Sequence, residues 1–168
     1  MTTSVNGKAG EQDVVIVAAQ GLLLASTVGD AKYVSLKNFA RAEIDIIIND
    51  GTTITAADIT LLQATAIAGT NAKELAFSWV KKNVDLAAST KQELTLTAVT
   101  SNTFKTQTVN SKKSRYVIDL VPSMLDIAGG FDCFRLDGAN HASTTPLGFT
   151  VTYRFFGARY SGADPSVD

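Results

Sequence analysis

Groups able to do covalent or metal chemistry are few enough here to be weighed one at a time. The sequence holds one cysteine, Cys133, and one histidine, His141. A nucleophilic thiol needs a nearby base that lowers its pKa, and this is the single thiol–imidazole pair available. Cys133 stands between Asp132 and Phe134 in an apolar, strand-like stretch, where a cysteine reads as a small buried hydrophobe. His141 follows in a polar loop. One cysteine excludes an internal disulfide and a multi-cysteine zinc site, and one histidine excludes multi-histidine metal centres.

Carboxylates offer two further constellations. Glu43 and Asp45 project from one face of a predicted strand. Paired carboxylates divide acid and base roles when their surroundings separate their pKa values, but nothing in sequence near this pair promises desolvation, so it reads as a solvated face. Asp126, Asp132, Asp137 and His141 supply oxygen and nitrogen ligands, yet their spacing matches no calcium loop. The chain lacks a phosphate-binding loop, a dinucleotide fingerprint and a Gly-x-Ser-x-Gly elbow. The cationic cluster Lys112-Lys113-Ser114-Arg115 reads as a solvated loop before a strand. Across the chain, 15 Lys+Arg against 16 Asp+Glu leave a net charge of −1, which argues against nucleic acid as a partner. These readings predict no enzyme activity, no catalytic residue, no cofactor and no metal site.

The elements that would position such groups are strands. The 168 residues are 45% hydrophobic and 18% charged, which suits one folded domain rather than a disordered chain. Period-two alternation dominates, placing every second side chain on one sheet face. It runs through Glu43–Asn49, Glu74–Lys82, Glu93–Val99, Arg115–Val121 and Leu147–Phe156. Val14–Ala19, Tyr33–Lys37 and Phe131–Asp137 are weaker strand candidates. Thr55–Ala68 admits a helix, from its Thr55/Asp58 start, or a strand, from the alternation of Ile59, Leu61, Gln63 and Thr65; the strand is preferred. Asp50-Gly51 marks a turn, Pro122 opens a short helical turn, and Ala139–Pro146 reads as a surface connection.

About eight strands with little helix predict an all-β fold: an antiparallel sandwich of two sheets, with a jelly roll suiting the count. Residues 1–168 form one such domain, with residues 1–13 as a candidate N-terminal arm and 161–168 as a C-terminal tail. The predicted core is Leu75, Phe77, Trp79, Leu94, Leu96, Ile118, Leu120, Phe149, Val151 and Tyr153. Trp79 shares its alternation face with Leu75 and Phe77, so it is assigned to the core. Phe156 lies opposite the Phe149–Phe155 row and is the candidate partner contact. No signal peptide or membrane-spanning stretch is visible, so no membrane partner is expected.

The order of elements resembles the small jelly-roll decoration, or cement, proteins of tailed bacteriophage capsids. The residues that carry it are Tyr116-Val117-Ile118-Asp119-Leu120, Ser123-Met124-Leu125-Asp126, Gly130-Phe131-Asp132-Cys133-Phe134-Arg135-Leu136 and a closing strand ending in Ala158-Arg159-Tyr160. Leu62-Gln63-Ala64-Thr65 and Lys73-Glu74-Leu75-Ala76-Phe77 look like the middle strands. The resemblance covers residues 32–160. It implies a non-enzymatic virion protein on the capsid surface, made in the bacterial host cytoplasm. Such a protein clamps neighbouring major capsid subunits and pairs with itself as a dimer or trimer. The alternative from another class is a carbohydrate-binding or receptor-binding β-sandwich module, which needs exposed aromatics in one plane or groove.

Overall fold

The computed structural model describes residues 14–21, 32–49, 56–88, 93–100, 102–106, 112–138, 148–159 and 162–167. They hold eleven strands: β1 (Val14–Gly21), β2 (Val34–Ser35), β3 (Arg41–Ile48), β4 (Asp58–Ala64), β5 (Lys73–Glu74), β6 (Trp79–Asn83), β7 (Thr95–Ala98), β8 (Thr103–Lys105), β9 (Ser114–Leu120), β10 (Cys133–Gly138) and β11 (Phe149–Phe156). One sheet has six strands in the order β1-β11-β3-β9-β6-β7. The other runs β2-β10-β4-β5, with β8 pairing β4 beside β5. All pairings are antiparallel. The architecture is therefore the expected two-sheet β-sandwich.

The core lies between the sheets and follows the alternation. Ile44, Ile46 and Ile48 of β3, Tyr116, Ile118 and Leu120 of β9, and Phe149, Val151, Tyr153 and Phe155 of β11 all point inward and are buried. Ile59 and Leu61 of β4 and Phe134 and Leu136 of β10 meet them from the opposite sheet. The Tyr153 hydroxyl oxygen accepts a 2.8 Å hydrogen bond from the Leu136 N–H, tying β11 to β10 across the core. Burial raises the Tyr153 pKa well above the usual tyrosine range, so the phenol stays neutral.

Thr55–Ala68 resolves in favour of the strand, as β4, because Ile59 and Leu61 each find a core facing them. Pro122 opens a 3₁₀ turn over Pro122–Met124, as expected from its fixed φ. A second turn, Ile127–Gly129, is capped by the Asp126 carboxylate, which accepts from the Gly129 N–H. Gly130 closes that turn at φ 81°, a backbone region that L side chains enter only with strain.

Two expectations about the core fail. The predicted single strand Glu74–Lys82 is broken: β5 belongs to one sheet and β6 to the other. Leu75 and Phe77 are buried along the crossing, but the phase then shifts by one residue. Val80 takes the inward position and Trp79 turns outward. Leu96 also faces outward, and Leu94 is half-buried. A slip of one residue reverses every face that follows it, and the change of sheet supplies the slip.

The strand count exceeds eight because this crossing divides one alternating run into β5 and β6, and because the three-residue β8 matches none of the predicted runs. Residues 162–167 lie against β2: Ala163 and Pro165 are buried, and the Pro165 carbonyl accepts from the Ser35 N–H at 2.7 Å. The arm at residues 1–13, the Asp50-Gly51 turn and the Ala139–Pro146 connection fall outside the described residues.

Candidate functional site

The two ends of the six-stranded sheet carry its exposed apolar groups. At the β7 end, β6 pairs with β7 so that Trp79 stands opposite Ala98 and Lys81 opposite Leu96. Val80 points into the core, so these four side chains share the outer face. Trp79 is 55% exposed and Leu96 56% exposed. Beside them runs an open groove of about 470 Å³, lined by Phe77, Trp79, Leu96, Val117 and Met124 together with Lys81 and Asp119. The Lys81 ammonium meets the Asp119 carboxylate at 2.5 Å. Both ends of that pair remain two-fifths exposed, so it is a surface ion pair of small energetic weight. The groove thus offers an indole face, an aliphatic wall and one donor–acceptor pair.

The β1 end is smaller and partly covered. Phe156 lies on the outer face, half-buried, with the Arg41 guanidinium 4.1 Å from its ring centre. That cation–π contact shields the candidate contact residue from one side. Val15 of β1 stands opposite Arg154 and is 57% exposed.

Between the two ends the outer face is closed by charge. Asp45 is not solvated as its sequence setting suggested: its side chain is only 4% exposed. Arg115 donates to it through Nε and Nη2, each at 2.8 Å. Arg154 approaches the same carboxylate at 3.5 Å and reaches Glu43 at 3.8 Å. The hydrogen bonds from Arg115 to Asp45 raise the guanidinium pKa further above its ordinary value. The register explains the cluster: β9 sets Arg115 beside Ile47 and Val117 beside Asp45, while β11 sets Thr152 opposite Asp45 and Arg154 opposite Glu43. Two long cations reach diagonally to a short carboxylate, so the Glu43/Asp45 pair is an ion-paired brace rather than an acid–base couple.

The remaining sequence candidates are placed as follows. Cys133 is completely buried with Tyr33 and Ala64 on the outer side of β10, and its Sγ lies 3.2 Å from Asp132 Oδ1. His141 is outside the described residues. Asp126 is paired with Lys73 at 2.6 Å, and Asp137 with Arg135 at 3.2 Å. The hydrogen bond from Lys73 holds the Asp126 carboxyl below the usual carboxylate range. Among the described residues, no group of three His, Cys, Asp or Glu side chains is placed to hold a metal ion. In the basic cluster, Lys112 pairs with Asp85, Arg115 with Asp45, and Ser114 is buried.

Sequence reasoning missed the Trp79–Leu96 surface. A signal was present: Val80 and Val84 fit an alternation one residue out of phase with Phe77. Nothing in the sequence says which phase wins after the crossing. Comparison with family models, with curated proteins and with solved structures returned no match.

Proposed function

We propose that this chain is a non-enzymatic virion protein that decorates a phage capsid from outside by binding major capsid subunits. The observation that carries the reading is the placement of exposed apolar side chains at both ends of one sheet. Val15 and the Phe156–Arg41 pair stand at one end, and Trp79 with Leu96 at the other. A sandwich with contact groups at two separated ends can hold the shell through one and leave the other for a further partner. The resemblance in element order over residues 32–160 supports the same reading. Capsid contact is assigned to the β1 end, where residues 1–13 join the sheet at Val14 and Phe156 lies on the adjacent strand.

The physics is mass action. A ligand that binds the assembled shell but not its separated subunits stabilises the shell by about 2.7 kcal/mol per site at roughly a hundredfold excess over Kd. The experiment adds purified protein to heads lacking it and measures co-sedimentation and heat resistance. Full-length protein is expected to sediment with heads and raise their heat resistance. Deletion of residues 1–13, or Phe156→Ala, is expected to weaken both. Full-length protein that neither sediments nor protects overturns the reading.

One observation favours the second reading, a carbohydrate-binding module: an exposed indole above a groove that also holds the Lys81–Asp119 pair. Aromatic faces stack on apolar sugar faces, and the ion pair offers a donor and an acceptor to hydroxyls. Glycan-array binding abolished by Trp79→Ala, without head binding, would select this reading.

A further inference from the structure

We infer that β7 is a self-pairing edge: it adds to β7 of a second copy across a two-fold axis, joining two six-stranded sheets into one.

The inference starts from how the other edges are managed. An unpaired edge strand is a template for another strand, and proteins blunt such edges with bulges, very short strands or covering segments. The β1 edge carries a register shift between Val17 and Ala19. The β2 edge is covered by the Ala163–Pro165 segment through the Ser35–Pro165 hydrogen bond. The far side of β4 is divided between β5 and β8, of two and three residues. At β7 none of these devices is present among the described residues. Its sequence Thr-Leu-Thr-Ala has no charge and no proline. Pairing with β6 continues past its ends, through Val99 N–H to Ser78 O at 2.8 Å and Asn83 Nδ2 to Glu93 O at 2.9 Å.

No side chain of β7 is fully buried. Thr95, Leu96 and Ala98 are exposed and Thr97 is half-buried. Among the described residues its one strand partner is β6. Among the described residues, its outer face and one edge are left uncovered.

Backbone phase and side-chain size then select the partner. The Val99 N–H points to β6, so the amides of Thr95 and Thr97 do too, and those of Leu96 and Ala98 point to the free edge. A two-fold axis at Thr97 sets Leu96 against Ala98 of the second copy and Ala98 against its Leu96. Each pair exchanges two backbone hydrogen bonds, and the outer faces stay on one side. Across the joined sheet one row reads Trp79, Ala98, then Leu96 and Lys81 of the second copy; its symmetry mate reads the reverse. The small Ala98 leaves room for the incoming leucine to lie against the indole of Trp79. Large side chains fall beside a small one in both rows, so the edge is its own complement.

Charge permits the same arrangement. β7 is neutral, and Lys81 is paired with Asp119 in its own copy. Three strand spacings separate Lys81 from its symmetry mate, more than about 14 Å, beyond the screening length at physiological salt. A Trp side chain buries about 150–250 Å². Trp79 and Leu96 keep only a little over half of their surface to give up, so two of each with a four-residue edge fall below the roughly 1,200–2,000 Å² of a standard stable interface, in the range of weak, transient pairs. The dimer is therefore expected to dissociate on dilution.

The test uses the full-length protein without heads, so its failure is separate from failure of the capsid reading. Sedimentation velocity across a wide concentration range is expected to show a shift from the 17.8 kDa monomer to twice that mass. Trp79 is the one tryptophan in the chain. Its fluorescence is therefore expected to move to the blue over the same range, as the second copy's leucine covers the ring. Ala98→Pro removes an outward N–H that β6 does not use, and is expected to abolish both changes while leaving thermal unfolding of the monomer intact. Leu96→Lys, at an exposed site, is the second variant should the proline disturb folding, and is expected to do the same. A monomer at all concentrations, a trimer, or unchanged association in the variant that folds overturns the inference.

Discussion

In β3, β9 and β11 every second side chain is buried, whereas in β7 none is. The two regions belong to one sheet and share one kind of alternating sequence. At the centre, β4 and β10 lie opposite and close the inner face, while the Asp45–Arg115–Arg154 brace closes much of the outer face. At the β7 end the four-residue strand runs past that cover. Alternation therefore says which residues share a face, but a face becomes a core only where another layer covers it.

The comparison predicts a steep fall in mutational cost from centre to edge. Phe77→Ala removes a ring that packs edge-on against Phe104 at 6.3 Å. It is expected to cost about 3–5 kcal/mol. Trp79→Ala, two residues on, is expected to change stability by less than about 0.5 kcal/mol. Urea midpoints of the two variants check this, and similar shifts would erase the distinction between the regions.

A smaller loss is expected from the brace. Asp45→Ala leaves Arg115 without the carboxylate that takes both of its hydrogen bonds. Hydrogen bonds to charged groups contribute about 1.5–3 kcal/mol each when buried. Because Arg115 keeps a third of its side chain in solvent, about 2 kcal/mol is expected for the whole change. A double-mutant cycle with Arg115→Ala is expected to show strong coupling; additive losses would show that the brace contributes nothing beyond packing.

Tyr153 gives the comparison a pH dependence. Its folded pKa is raised by burial, while an unfolded tyrosine titrates near about 10. The folded state thus binds the phenolic proton more tightly. That contribution is fully present below about pH 10 and is lost as pH rises toward the folded value. Tyr153→Phe is expected to be less stable at neutral pH, by about 1–3 kcal/mol, because the buried Leu136 N–H loses its acceptor. It should also show a shallower loss above pH 10. Equal alkaline slopes for the two proteins would contradict the assignment.

The smallest effect on folding is expected at the edge. Leu96→Lys replaces an exposed side chain and should leave the unfolding temperature of the monomer nearly unchanged, while removing its concentration dependence. A large loss of monomer stability would mean that β7 is held by more than β6.

Much of the fold was legible in residue order. The alternation in Ile44–Ile48, Tyr116–Leu120 and Phe149–Phe155 names three buried strand faces, because side chains on a strand must alternate and apolar ones gain by leaving water. Pro122 marks its turn because its ring sets φ. The functional surface was less legible. Phe156 could be named as outward-facing from its strand alone, but the Arg41 above it comes from a different strand. Trp79 looked like core because the sequence does not say where a chain leaves one sheet for another, and one residue of slip turns an indole from inside to outside. Asp45 looked solvated because Arg115 and Arg154 lie 70 and 109 residues away in sequence. Local order determines which side chains share a face and where the backbone can turn. Tertiary structure decides which faces are covered and which charges meet, because both depend on layers brought together from distant parts of the chain.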